Sequence, residues 1–250
     1  MGPKLGDFLH SLVVPAFYYR MFGKKTNLYI NEVFDTWANP LEDTYKELYP
    51  IIMNQDYINS FEIFDKNKHR IDHDLNQFRY NRLIYTRPFW AVFLHSAFKN
   101  NPVIPKNFIT LKVDPDYTYK DYLLVHRKDG RFEWNDFTEK QYLNVMNKFE
   151  KKLFIAFNEH DYDKFPLKDK IDLLVVKDLS PFLSYLKGSK MLLTNATSTL
   201  CMASAMNVPR IGEVGKFITP HYCNDHMFYD NVEFFDPYQI FTPNCKYLEK

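Results

Sequence analysis

Tyr122-Leu123-Leu124-Val125-His126 and Met191-Leu192-Leu193-Thr194 are short apolar runs, each stopped abruptly by polar residues. A strand buried on both faces reads this way, because neither face calls for a polar side chain. Three more such runs share this half of the chain: Leu153–Phe157, Asp172–Val176 and Pro209–Val214. Helix signals separate them. Thr138 to Phe149 carries Tyr142, Val145, Met146 and Phe149 at helical spacing, with Thr138 able to cap it. Ser180 and Pro181 suit a helix start, and Lys187-Gly188 suits its end. Ser198 to Met206 predicts a further helix. Strands alternating with helices imply a parallel sheet. Residues 122–214 therefore predict one Rossmann-like α/β unit, with Val125, Ile155, Val175 and Leu192 buried in its sheet.

Outward from that core the pattern is less regular. Phe8 to Met21 reads as a helix interrupted at Pro15, and Leu41 to Met53 and Phe89 to Phe98 as two more. Asn27–Ile30, Ser60–Phe64 and Arg82–Tyr85 read as strands. This half is also α/β. Pro102, Pro105 and Pro115 mark a connection between the halves, within residues 101–121. Val232–Phe235 predicts one more strand near the end.

The totals exclude several classes. A formal net charge of +1 over 250 residues gives no electrostatic footprint for nucleic acid. No stretch approaches the ~20 apolar residues of a membrane span, and the first residues lack signal-peptide character. The three cysteines, Cys201, Cys223 and Cys245, form no CxxC, which argues against a disulfide framework or a zinc site and for a reducing, cytoplasmic setting. Seven glycines with no GxGxxG argue against a dinucleotide cofactor. The 18% aromatic content suits sugar stacking, but reads more simply as the composition of an AT-rich genome.

Ligands of open α/β sheets sit at the carboxyl ends of the strands. Val125-His126-Arg127-Lys128-Asp129-Gly130-Arg131 leaves a buried strand rich in cations that could hold phosphate, or that could form a solvated turn. Thr194-Asn195-Ala196-Thr197-Ser198-Thr199 joins a strand to a helix with more hydroxyls than a plain cap needs, which suits an anion. Gly6-Asp7 opens a helix, where Asp7 is either a cap or a site carboxylate. His10 follows one helical turn later and can titrate near neutrality. His221, Asp225 and His226 could mimic metal ligands but read better as a polar loop, so no metal is expected.

Taken in order, these segments resemble a known family. Gly6-Asp7-Phe8-Leu9-His10-Ser11-Leu12 is similar to the "GD-x-L-x-x-L" opening of heptosyltransferase-type enzymes, glycosyltransferase family nine. Asn195 through Pro209 resembles that family's "N-D-S-G-P-x-H-L-A-A-A-x-G-V-P", with Ala196, Ser198-Thr199 and Cys201 departing from it. Val125 to Asp129 looks like a strand-end motif of more distant sugar transferases. The resemblance implies a GT-B-like fold: two Rossmann-like domains, 1–115 on the acceptor side and 116–250 on the nucleotide-sugar side, with a cleft between. It implies inverting, metal-independent transfer from a nucleotide-sugar to a glycan or other hydroxyl acceptor, with no further cofactor. Asp7 matches the family's general base, with His10 the next candidate. Gly6, His126, Arg127, Lys128, Asp129, Arg131, Asn195, Thr197, Ser198 and Thr199 would form the donor site. An epimerase of the same fold and a non-catalytic nucleotide-sugar-binding or scaffold protein are the alternatives.

Overall fold

The computed structural model describes residues 5–32, 37–85, 87, 89–99, 108–215, 232–235 and 237. The chain opens with helices α1 (Leu5–Ser11) and α2 (Val13–Phe22), then strand β1 (Thr26–Ile30), helix α3 (Leu41–Met53) and strand β2 (Ile58–Ile63). Two 3-10 segments (Leu75–Tyr80, Arg82–Tyr85) and helix α4 (Phe89–Phe98) complete the first half. A 3-10 turn (Tyr117–Tyr119) leads into β3 (Leu123–His126), α5 (Asp136–Met146), β4 (Lys152–Ala156), α6 (His160–Asp163), a 3-10 turn (Lys168–Lys170) and β5 (Asp172–Val175). Then come α7 (Leu179–Gly188), β6 (Met191–Asn195), α8 (Ser198–Met206), β7 (Arg210–Glu213) and β8 (Val232–Phe235). No helix among the described residues is long and apolar enough to cross a membrane.

The second half holds a six-stranded, wholly parallel sheet in the order β5-β4-β3-β6-β7-β8. Counted from β3 this is the 3-2-1-4-5-6 order of the doubly wound fold. Alternation along the strands divides two cores. Leu123, Val125, Phe154 and Leu193 pack with Tyr142, Val145 and Met146 of α5. Leu124, Ile155 and Leu192 point the other way, into a core shared with α7, α8 and the N-terminal half. Both faces are covered, which is why these strands are apolar throughout.

The N-terminal half is smaller than the expected second Rossmann-like unit. Its described residues hold one parallel βαβ element, β1-α3-β2. Arg82–Tyr85 is a 3-10 turn and not a strand. Asn81 explains the difference: its side chain accepts from the Leu83 amide at 3.1 Å and donates to Ser96 Oγ at 3.0 Å, so the turn is fixed locally and against α4. The helix read over Phe8–Met21 is broken at Leu12 into α1 and α2, and Pro15 lies inside α2's first turn.

Four smaller expectations need correction. Val175 is 37% exposed, because β5 is an edge strand; its neighbour Val176 is buried instead. Asn135, not Thr138, caps α5, accepting from the Thr138 amide at 2.9 Å. The cap of α7 comes from α3, where Glu47 accepts from the Leu179 amide at 3.1 Å, and not from Ser180. Gly188 ends α7 without a left-handed turn. A Cβ there would lie 1.9 Å from the Asp116 carbonyl oxygen, so glycine is needed for close approach of the connecting segment. Residues 101–107 of that segment lie outside the described residues. Beyond them it is stitched to both halves, by Thr110 and Leu111 amides to Ala205 O and by Gln55 to Lys112.

Candidate active site

The sheet reverses direction of winding between β3 and β6, whose register pairs His126 with Thr194. A crevice opens at the carboxyl ends of such a strand pair. Both candidate loops start there. Asn195, fully buried, ties them together: its Oδ1 accepts from the Lys128 amide at 3.1 Å, and its Nδ2 donates to the Lys128 carbonyl at 2.9 Å.

The cationic loop divides into an inner and an outer part. Arg127 is buried, and its guanidinium donates to both Glu213 oxygens, Nε at 2.8 Å and Nη2 at 2.9 Å. Nη2 also reaches Phe132 O at 2.9 Å, and the guanidinium lies 4.9 Å from the Trp134 ring centroid. Tyr142 of α5 also donates to Glu213, at 2.9 Å. Burial opposes the Arg127 charge, but the bonds to Glu213 more than offset it and raise its pKa. Burial and then Glu213 push the Tyr142 hydroxyl well up, so it stays a donor. Arg127 therefore holds the loop in place from within. Lys128, Asp129 and Arg131 are exposed on the loop's outer side, where Gly130 turns the chain with φ 71°. Sequence reasoning missed Glu213. The available signal was a carboxylate inside a run that reads as a buried strand, which requires a buried partner.

His126 ends β3 and is 5% exposed, with Phe154 and Phe182 beside its ring. Burial pushes its pKa down to about 4; Asp161 opposes this and Lys128 adds to it. At neutral pH it is an uncharged imidazole, so its 3.9 Å approach to Asp161 is no ion pair. Its Nδ1 is buried without a hydrogen bond among the described residues.

Helix α8 begins beside this loop. Thr197 occupies the N-cap position, but no side-chain bond closes the helix end. Thr197 and Ser198 are half-buried, and Thr199 is buried. First-turn amides without intrahelical acceptors, aligned with the helix dipole, suit an anion.

Helix α1 packs directly on α8. A Cβ on Gly6 would lie 3.0 Å from Cys201 Sγ and 3.6 Å from Ser198 Cα, so glycine permits this contact. The contact sets the turn of α1 that carries Asp7 against the first turn of α8. Arg79 Nη2 donates to Asp7 Oδ2 at 2.6 Å, and the same guanidinium lies 4.8 Å from the Phe78 ring centroid. Arg79 is 72 residues away in sequence, so nothing local marked it. His10, one turn along α1, packs its ring 5.3 Å from Phe89 of α4. The structure thus gathers Gly6, Asp7, Asn195 and Thr197–Thr199 in one region, with His126 and the 127–131 loop at the same sheet edge. No group of three His, Cys, Asp or Glu suited to a metal occurs among the described residues; His221, Asp225 and His226 lie outside them.

No family profile matches the chain, and no curated protein matches it in sequence. Solved structures do. The heptosyltransferase WaaC of E. coli with ADP superposes with a TM-score of 0.60 at 11% identity, covering 94% of this chain and 91% of that one. The same enzyme with ADP-2-deoxy-2-fluoro heptose gives 0.57 at 12%, covering 93% and 90%. A glycosyl transferase family 9 structure from Veillonella parvula gives 0.60 at 10%, covering 94% and 84%. Across nearly its whole length, the chain has the fold of heptosyltransferase-type glycosyltransferases.

Proposed function

We propose that the protein is a glycosyltransferase that moves a sugar from a nucleotide-sugar to a hydroxyl acceptor. The packing of α1 on α8 through Gly6 carries this reading, because it sets the turn that bears Asp7 against an uncapped helix start at the sheet's switch point. Residues 1–115 form the acceptor side and residues 116–250 the donor side of a shared cleft. The donor diphosphate lies on the first turn of α8, with Thr197, Ser198 and Thr199 as hydrogen-bond donors. Lys128 and Arg131 close over it from the loop after β3, which Asn195 and Arg127 hold in position. Asp7, oriented by Arg79, takes the proton of the acceptor hydroxyl as its oxygen attacks the anomeric carbon. The bond to the diphosphate breaks on the opposite face, giving inversion, and the charge left on the diphosphate is met by the helix amides and the two cations. No metal or other cofactor takes part, and the reaction takes place in the cytoplasm.

The two structures of E. coli WaaC hold ADP and ADP-2-deoxy-2-fluoro heptose, so ADP is the first nucleotide to try. Calorimetry with ADP and its counterparts, followed by hydrolysis assays over a panel of nucleotide-sugars, tests the reading. One nucleotide should bind, and its sugar conjugate should hydrolyse slowly without acceptor. Interconversion of sugars would make the protein an epimerase, and no binding by any nucleotide would overturn the donor site.

A further inference from the structure

Away from the switch point, the end of α2 presents an unusual surface. Met21 and Phe22 are adjacent and 57% and 59% exposed. They are not loosely held. Gly23 closes the helix in a left-handed turn, φ 65°, with its amide on Tyr19 O at 2.7 Å. Phe22 packs 4.9 Å from Tyr18, which in turn stacks on Phe98. Arg20, Lys24 and Lys25 flank this tip, and no acidic residue occurs between Asp7 and Glu32.

Beside the tip lies a cavity of about 720 Å³, lined in part by Lys24, Lys25, Arg70 and Ile71. Ile71 is a further exposed apolar residue, at 48%. Among the described residues Lys24, Lys25 and Arg70 form no ion pair. Asp72 and Asp74 also face the cavity, but Asp74 is engaged by Asn76 and Gln77.

We propose that this corner is a membrane-contact surface for an anionic bilayer. Met21, Phe22 and Ile71 enter the interfacial zone, while Arg20, Lys24, Lys25 and Arg70 meet lipid phosphates at the cavity mouth. An exposed apolar helix end flanked by cations suits a negatively charged interface, in which apolar burial and surface potential act together. The inference stands apart from the transferase reading and uses none of its site residues.

The test is sedimentation of the full-length protein with vesicles of phosphatidylcholine alone or mixed with phosphatidylglycerol. Binding should require phosphatidylglycerol and weaken with salt. Removing each cation should cost roughly fivefold in partitioning, so Lys24→Glu/Lys25→Glu should lose at least about twenty-five-fold, and Met21→Ser/Phe22→Ser should lose binding comparably. Circular dichroism should show both variants folded, since the replaced side chains are exposed. In Phe22→Trp, tryptophan emission should shift to the blue on adding anionic vesicles. No sedimentation, equal binding to phosphatidylcholine alone, or binding that survives both double variants would overturn the proposal. Release by soluble glycerol phosphate would assign the cavity to a small phosphorylated ligand instead. Retention on immobilised polyglutamate without vesicle binding would assign the surface to an acidic protein.

Discussion

A general base must keep its carboxylate aimed, and the Arg79 guanidinium, 2.6 Å from Asp7, is placed to hold it. Asp7→Asn keeps the shape and the first-turn position but cannot take a proton. It should leave nucleotide affinity nearly unchanged and lower turnover by roughly 10²–10⁴-fold, the usual span for this role. The Arg79 pair is partly exposed, so its loss should cost stability no more than ~1 kcal/mol. Full turnover by Asp7→Asn, measured with the donor identified by the panel, would remove it from the mechanism. Arg127 has the opposite character. Arg127→Ala leaves the buried Glu213 without its counter-charge, with Tyr142 still donating to it, which should cost about 3–5 kcal/mol in urea unfolding. Arg127→Met/Glu213→Leu removes both charges and should recover much of that loss. If the double variant folds well yet loses nucleotide affinity, the Arg127–Glu213 pair serves the donor site by holding the loop and not stability alone. From the sequence a cation after a strand is a phosphate ligand or a structural pair with equal ease, and the deciding partner lies 86 residues away. His126 offers a pH signature. Its pKa falls from 6.5 to about 4 on burial, so protons favour the unfolded chain. Its contribution is complete above pH 6.5 and is lost as pH falls toward 4, by about 3 kcal/mol in all. Unfolding free energies measured across that range should show a slope that His126→Gln flattens.

Among the elements, those buried on two faces were the easiest to read. β3, β4 and β6 stand within a residue or so of their apolar runs, and α8 occupies its expected span. Such segments are written by burial alone. Arg82–Tyr85 reads as a strand because a four-residue run carries no length information, and the side chain of Asn81 decides for a turn. Gly188 marks a helix end in sequence whichever cause applies, since a left-handed cap and a close backbone approach look alike there. The two causes predict different costs. A glycine in an unstrained helical position normally gains stability on replacement by alanine. Here the added methyl would collide with the Asp116 backbone, which cannot swing away as a side-chain end could. Gly188→Ala should therefore destabilise by roughly 1–3 kcal/mol or more, the cost of overpacking. An unchanged urea midpoint would mean that the connecting segment gives way freely.

For the whole molecule, the decisive feature is that one apolar core crosses between the halves. Phe8, Leu9 and Leu12 from the first helices share it with Leu48 and Ile52 of α3, and with Leu124, Ile155, Leu192 and Met202 of the second half. Glu47 caps α7 across the same boundary, and Gln55 and Tyr57 bind the connecting segment. A proposed division at residues 115 and 116 is thus one of roles and topology, while the packing is common. Two lobes with independent cores would unfold in two steps, each with its own dependence on ligand. A shared core makes opening one half expose apolar surface of the other, which couples the transitions. Calorimetry should accordingly show one unfolding transition. Nucleotide bound at α8 should move all of it, by about 2.7 kcal/mol at a concentration one hundred times the Kd. Fluorescence of Trp37, in the first half, should report the same midpoint as that of Trp134, in the second, when each is read in a variant lacking the other tryptophans. If nucleotide shifts only the Trp134 midpoint, the halves fold separately. Asp7 would then reach the donor through a hinge motion, and the α1–α8 contact would be one position of that hinge.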